Sequence, residues 1–424
     1  MNESQQAQPL AYSARMRVQA QTASHPTVRL ASQTRCTVKP DTAMSATRVL
    51  HVFKTYYPDS LGGVEQVIRQ LSTATAPMSV VNRIFTLSRQ ASAVPLLHDG
   101  PTEVVRAQTH MEIASTPMSC CSFAIFREAV KKADLIHYHY PWPFGDLLHL
   151  VAGRGKPAIV TYHSDVVRQR LLMPIYQPLM QRFFANLRAI VPTSPNYLQS
   201  SELLQGFRDK TTVIPIGLDE ASYPRPTPER VRYWREAVRE QFFLFVGVLR
   251  YYKGLHILLE ACANTDCRVV IVGAGPVEAD LKQQATRLGL RNVRFLGAVS
   301  DEDKVALLKL CRAVVFPSHL RSEAFGVTLL EGAMFGKPLI SSEIGTGSSY
   351  VNVDGTTGLV VPPDDPGALR VAMERLERDP ALAAQMGMRA RKRFEQLFTA
   401  RRMAESYVGL YQQVLNGTIG SKRD

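Results

Sequence analysis

Residues 318–338, SHLRSEAFGVTLLEGAMFGKP, bridge two short apolar runs, RAVVF at 312–316 and KPLIS at 337–341, and their reading decides the fold. The flanking runs read as strands. The stretch after Gly326 reads as a helix, so the whole is a strand, helix, strand unit. A helix that begins after Gly326 leaves Glu323 in the loop feeding it and carries Glu331, with seven residues between the two, inside it. A surface helix with solvated acids is the alternative. The surroundings AFGVTLLEGAMFG are too apolar for that and bury Glu331.

The same alternation extends in both directions. Downstream of a proline-containing stretch at 217–230, strands are expected at 242–247, 268–272, 292–296, 312–316, 337–341 and 358–361. Upstream they are expected at 48–53, 80–86, 134–138, 157–161, 188–192 and 211–215, with a helix from Glu65 to Ala74 after the first. Strands separated by helices imply parallel sheets, and 424 residues exceed one core. The expected class is α/β with two Rossmann-like domains facing across a cleft. Residues 1–45 are expected as a disordered tail, 46–220 as the first domain, 221–240 as a linker because of Pro224, Pro226 and Pro228, and 241–395 as the second domain. Residues 396–424 are expected as a C-terminal helix that crosses back, with a basic tail. The tail at 1–45 has two other readings: a transit peptide, for its few acids and scattered arginines, or an upstream start with Met44 as the true one.

Composition bounds the function. Hydrophobic residues at 45% and charged ones at 21% describe a globular chain, and no apolar run is long enough to span a membrane. Six cysteines, at 36, 120, 121, 262, 267 and 311, have neither metal-ligand spacing nor a compact disulfide pattern, which suits a reducing compartment. A formal charge of +13 calls for an anionic partner: nucleic acid, membrane or phosphorylated substrate. No interleaved aromatic and basic groove and no zinc-finger spacing appears, so nucleic acid is placed last.

Several strand ends carry groups suited to an anionic ligand. LGGVE at 61–65 puts Gly62 and Gly63 before a helix, where a phosphate or sugar fits against free amides; a tight turn is the plainer reading. GVLRYYKG at 247–254 sets Arg250 and Lys253 after a strand, either as solvated charges or as cations that neutralise a diphosphate. VGAGP at 272–276, with Gly275, is a close-approach turn over a strand end. In the segment at 318–338, Glu323 is placed to receive sugar hydroxyls, the amides of Ala324, Phe325 and Gly326 to face phosphate, and Glu331 to accept from ribose hydroxyls. Thr193, Ser194 and Asn196 sit at another strand end, where capping is the default and acceptor contact the alternative. Residues 168–188 mix Arg168, Arg170, Arg182 and Arg188 with Leu172, Ile175, Leu179, Phe183 and Leu187 at helical spacing, a core-packed helix with a basic outer face or a dock for an anionic leaflet.

E-A-F-G and E-G-A-x-x-G-K-P, the K-G after the first strand of the second domain, the GxGP turn and DGTTGLVVPPDDPGAL at 354–369 occur in one order. By these motifs residues 46–415 resemble the retaining GT-B glycosyltransferases of family 4, and LRYYKG, SEAFGVTLLEG and EIGTGSSYVN resemble the bacterial mannosyl- and rhamnosyltransferases of surface polysaccharide (O-antigen) assembly. The resemblance implies that Glu323 contacts the transferred sugar, Glu331 the ribose, Arg250 and Lys253 the diphosphate, and that His163, in VTYHSD, lies near the donor sugar. The family's arginine commonly follows the first glycine, where this chain has Val248, so the guanidinium is displaced to Arg250. The resemblance further implies a nucleoside-diphosphate sugar donor, GDP-linked, a lipid-linked glycan or polysaccharide acceptor, and a place at the cytoplasmic face of the membrane. No cofactor and no metal are expected, since no Asp-x-Asp cluster ends a strand. Rival readings are an epimerase or glycogen-synthase-like enzyme of the same fold and a non-catalytic sugar-nucleotide sensor. A Rossmann dehydrogenase lacks its dinucleotide fingerprint here.

Overall fold

Strands β1 (Thr47–Val52), β2 (Val80–Ser88), β3 (Leu96–Asp99), β4 (Thr102–Gln108), β5 (Met111–Ile113), β6 (Thr116–Met118), β7 (Leu135–Tyr140), β8 (Ala158–Tyr162) and β9 (Ala189–Pro192) build the N-terminal lobe of the computed structural model. Seven of them pair in the order β3-β4-β2-β1-β7-β8-β9, while β5 and β6 form a separate antiparallel pair. Only β3 runs antiparallel in the large sheet, as half of a hairpin with β4. Strands β10 (Phe243–Val246), β11 (Val269–Val272), β12 (Val293–Gly297), β13 (Ala313–Phe316), β14 (Leu339–Ser342) and β15 (Gly358–Val361) form a parallel sheet in the order β12-β11-β10-β13-β14-β15. The structure describes residues 46–60, 62–91, 95–113, 116–165, 173–238 and 241–419. The tail expected at 1–45, with Arg168, Arg170 and Leu172, lies outside them.

Each sheet reverses its strand order once, between β1 and β7 and between β10 and β13. Loops leaving the carboxyl ends of those neighbours turn to opposite sides and open a crevice, where such sheets hold ligands. Central strands buried on both faces explain the nearly continuous apolar runs, FLFV in β10 and VVIV in β11. One core spans both lobes, joining Val49 and Leu71 to Val314, Phe316 and Leu329.

The chain crosses between lobes twice at one place. Leu218 and Thr399 pair in an isolated bridge, and a Cβ on Gly217 would lie 2.3 Å from the Thr399 carbonyl oxygen, so only glycine passes there. Beyond this point helix Ala400–Leu415 returns to the N-terminal sheet. Its Met403, Tyr407, Leu410 and Val414 share a buried cluster with Val49, Leu135 and Ile159.

Two sequence expectations are corrected. The linker expected at 221–240 contains helix Pro228–Val238, whose Trp234 and Val238 are buried and whose Trp234 Nε1 donates to Asp303 Oδ1 at 2.6 Å. Proline at a first helical position lacks a hydrogen that has no partner there anyway, and Thr227 Oγ1 caps the turn by accepting from Arg230 N at 3.2 Å. The strand expected at 211–215 is reduced to one bridge, Thr211 with Ile190, as the chain leaves the sheet edge for the crossing. The sequence reading also missed β3 to β6, although Asp99-Gly100, with Gly100 at φ +58°, is a recognisable hairpin turn.

Candidate active site

The two reversal points face each other across a cavity of about 960 Å³. From the N-terminal lobe come the loop after β1, which carries Lys54 and leads to Gly62 and Gly63, and the end of β8 at His163. From the C-terminal lobe come the loop after β10, with Arg250 and Lys253, and the loop after β13, with Glu323 to Gly326. Helices Gly63–Thr75 and Val327–Met334 both start at this cavity. A Cβ on Gly63 would sit 4.0 Å from Val327 Cγ2, so the two helix N-termini nearly meet. Free amides from both therefore bias the cleft toward anions.

The C-terminal wall is built of charge. Gly326 takes a left-handed conformation, φ +88°, turning the chain into its helix and leaving Glu323 in the loop before it. The Glu323 carboxylate accepts a charge-assisted hydrogen bond from Lys253, at a side-chain exposure of about one tenth for each. Glu331, four residues into the helix, is buried, and its Oε1 accepts from Lys304 Nζ at 3.1 Å and from the Tyr223 hydroxyl at 3.0 Å. Burial works against the charge on Lys304, but Glu331 and Asp301 outweigh it and raise its pKa. Arg250 is exposed at the cavity and makes no ion pair among the described residues.

At the sheet itself, the buried polar groups of the N-terminal wall are histidines. β1 and β7 bring His51, His137 and His139 together in the sheet, and His163 follows β8. All four are buried. His163 Nε2 lies 3.0 Å from His139 Nδ1, His139 Nε2 lies 3.2 Å from His51 Nδ1, and His51 Nε2 lies 3.1 Å from Asn82 Oδ1. His137 belongs to a separate branch, bonded to Tyr411 at 2.8 Å and Thr161 at 2.6 Å. Burial lowers the pKa of His163 to about 3 and that of His51 to about 4, so the rings are neutral at neutral pH. The ring nitrogens of His51, His137 and His139 are close enough together for a metal, yet each already has a hydrogen-bond partner.

Of the residues singled out from sequence, Gly62, Gly63, His163, Arg250, Lys253, Glu323, Ala324, Phe325, Gly326 and Glu331 line this cavity. Gly275 does not line it. A Cβ there would lie 2.3 Å from the Leu249 carbonyl oxygen, so Gly275 lets the turn at 272–276 pack against the loop that carries Arg250. Ser194 is a helix cap, its Oγ accepting from Tyr197 N at 3.1 Å, and Asn196 Nδ2 reaches Ser349 Oγ at 3.2 Å in the opposite lobe. Sequence reasoning missed Lys304, set in an acidic helix start that reads as solvated, and Tyr223, hidden in the expected linker. It also passed over Glu65 as a site residue; Glu65 is buried at the cleft and accepts from Thr55 Oγ1 at 2.7 Å.

Comparison with known proteins agrees with the two-lobed fold. The family model Glycosyl transferases group 1 matches residues 229–393, and Glycosyltransferase Family 4 matches residues 61–222. Over 353 residues the chain is 55% identical to D-rhamnosyltransferase WbpZ of Pseudomonas aeruginosa, a match covering 83% of this chain and 92% of that protein. It is 50% identical to O-antigen chain mannosyltransferase C of Escherichia coli over 368 residues, 87% of this chain and 99% of the other. Among solved structures, sucrose-phosphate synthase from Thermosynechococcus elongatus superposes with a TM-score of 0.72 at 22% identity, covering 88% of this chain and 100% of the other, a likeness of fold.

Proposed function

This chain belongs to the GT-B glycosyltransferases, and from that membership we propose that it transfers a hexosyl unit, mannose or rhamnose, from a GDP-linked donor to a lipid-linked glycan or polysaccharide, with retention of configuration. The two relatives above, one a rhamnosyltransferase and one a mannosyltransferase, support the sugar class. The observation that carries the reading is the pairing at the C-terminal wall: Lys253 with Glu323, and Lys304 with Glu331, at the mouth of a helix that faces a second helix N-terminus.

A diphosphate in this cleft takes Lys253 as a hydrogen-bond donor and frees the Glu323 carboxylate to accept from hydroxyls of the sugar. Arg250, exposed and without an ion-pair partner among the described residues, supplies a second cation. As the bond from anomeric carbon to phosphate oxygen breaks, charge gathers on the diphosphate, where fixed cations and helix amides stabilise it most. Glu331, held on one oxygen by Lys304 and Tyr223, accepts from the ribose. Because Arg250 and Lys253 supply the neutralising charge, the proposed reaction needs no divalent cation. NMR of the product anomer, with and without EDTA, tests this. An inverted product, or activity lost to EDTA and restored by magnesium, overturns it. Thermal stabilisation by GDP-, UDP- and ADP-sugars ranks the donors.

The same reading places the protein at the inner face of the cell membrane, bound peripherally. Among the described residues no helix is long and apolar enough to cross a membrane. On helix Met173–Asn186, Phe183 and Phe184 turn into the core while Ile175 is 80% exposed and Arg182 is exposed, which supports docking of this helix on an anionic leaflet. Flotation with anionic vesicles that weakens as salt rises is the expected result. Equal binding to neutral vesicles counts against it.

A further inference from the structure

We propose that Asn82, His51 and His139 form a one-way hydrogen-bond relay that fixes the tautomer of His163, so that its ring presents a lone pair on Nδ1, and no N–H, to the donor cleft. The consequence for the donor rests on the reading of the cleft given above. The direction of the relay rests on the hydrogen bonds between buried, neutral rings.

The direction is set at the far end. Asn82 is buried on β2, and one end of its amide lies 2.9 Å from the Ser72 carbonyl oxygen and 3.0 Å from Thr75 Oγ1. A carbonyl oxygen only accepts. The Thr75 hydroxyl has already committed its proton to the Leu71 carbonyl, at 2.8 Å, so it too must accept. Both neighbours therefore require the amide NH₂, and the amide oxygen must face His51. Turning the amide over would set oxygen against two acceptors in a buried place, leaving groups without partners.

From that fixed oxygen each ring follows in turn. The amide oxygen accepts, so His51 carries its proton on Nε2. A neutral imidazole has one N–H, and burial keeps His51 neutral, which makes its Nδ1 an acceptor. His139 must then donate from Nε2 to His51, leaving its own Nδ1 bare. His163 must donate from Nε2 to His139, leaving its Nδ1 bare. The rings of His139 and His163 stack with centroids 5.3 Å apart, which holds the orientation as well as the proton. His163 lines the cavity, and its Nδ1 has no hydrogen-bond partner among the described residues and is not among the fully buried unpartnered atoms. It is the nitrogen left to the cleft. A lone pair there accepts from a hydroxyl of the donor sugar and repels a phosphate oxygen. It thus sorts the two ends of the donor along the cleft, with the diphosphate toward Lys253 and a hydroxyl toward His163. Asn82, His51 and His139 touch no substrate and are positioning residues.

The test is nitrogen-15 NMR of the full chain labelled at histidine, with the His163 resonances assigned by their loss in His163→Gln. The expected result is a protonated Nε2 and a bare Nδ1; a protonated Nδ1 overturns the relay without any variant of it being needed. His51→Gln preserves the direction, since its amide NH₂ donates to Asn82 and its oxygen accepts from His139. It is expected to keep the tautomer and to hold kcat/KM within about twofold. His51→Leu removes the acceptor for His139 and is expected to mix the tautomers of His163 and lower kcat/KM by roughly tenfold. An unmixed tautomer in His51→Leu, or an equal loss of activity in both variants, also overturns it. Absence of transfer by the unaltered chain would count against the proposed function, while the ring-nitrogen spectrum still decides the relay.

Discussion

The two walls of the cleft solve the same packing problem by different means. Both bury polar side chains near the ends of parallel strands, but the N-terminal wall does so with neutral histidines linked in series and the C-terminal wall with ion pairs, Lys253 with Glu323 and Lys304 with Glu331. A neutral chain costs little to bury and holds direction. An ion pair costs more to bury, but its lysine can exchange the carboxylate for an anionic ligand group and free that carboxylate for hydroxyls. The wall of histidines is therefore suited to orientation, and the wall of ion pairs to charge that changes during a reaction.

The largest expected effect comes from breaking the charged wall. Glu323→Gln keeps the shape and removes the charge that Lys253 holds, and kcat should fall by about 10² to 10³-fold with a smaller change in donor affinity. Steady-state kinetics with the donor varied would show the reverse split if Glu323 served binding alone. Next is the response of the histidine chain to acid. His51 and His163 have folded pKa values of about 4 and about 3, below the roughly 6.5 of an unfolded histidine, so unfolding takes up protons below that pH. Their contribution to stability is whole above pH 6.5 and is lost as pH falls toward 4 for His51 and toward 3 for His163. Near pH 5 the loss is about 2 kcal/mol for each ring. Urea unfolding at several pH values checks this, and His51→Gln should make the profile shallower.

Smaller effects sharpen the contrast. Glu331→Ala should weaken donor binding by roughly tenfold and lower kcat less, since it removes a ground-state contact and leaves Lys304 with Asp301 alone. Calorimetric titration with the donor measures this. Tyr223→Phe deletes the hydroxyl that accepts from Gln66 of the N-terminal lobe at 3.0 Å and donates to Glu331 of the C-terminal lobe. A loss of stability of about 1 kcal/mol in chemical unfolding is expected, and a loss of several would mean that the bridge anchors more than Glu331.

The difference between the walls also explains what the sequence disclosed. The C-terminal wall is local: Glu323, Gly326 and Glu331 lie on one loop and one helix, so their spacing carries the geometry. Its partners are not. Tyr223 and Lys304 reach Glu331 from 108 and 27 residues away, one behind a run of prolines and one beside three acids. The N-terminal wall is non-local throughout, since His51, Asn82, His139 and His163 meet only when β1, β2, β7 and β8 line up. Two histidines in LIHYHY read as ordinary strand residues until the register places them. Gly275 shows the opposite error: a real close approach was legible, but backbone and not ligand makes it.

The return of helix Ala400–Leu415 to the first sheet bears on how the protein is made. During synthesis the strands of the N-terminal lobe leave the ribosome long before the helix that covers them. Val49, Leu135 and Ile159 therefore wait incompletely covered until residues 400–415 have been made. The first lobe cannot finish burying its core as an independent unit, and a chain that stops before residue 400 has an intact Glu323 and Glu331 but an incompletely covered sheet. Quality control by chaperones and proteases then judges the first sheet by whether helix Ala400–Leu415 has covered it.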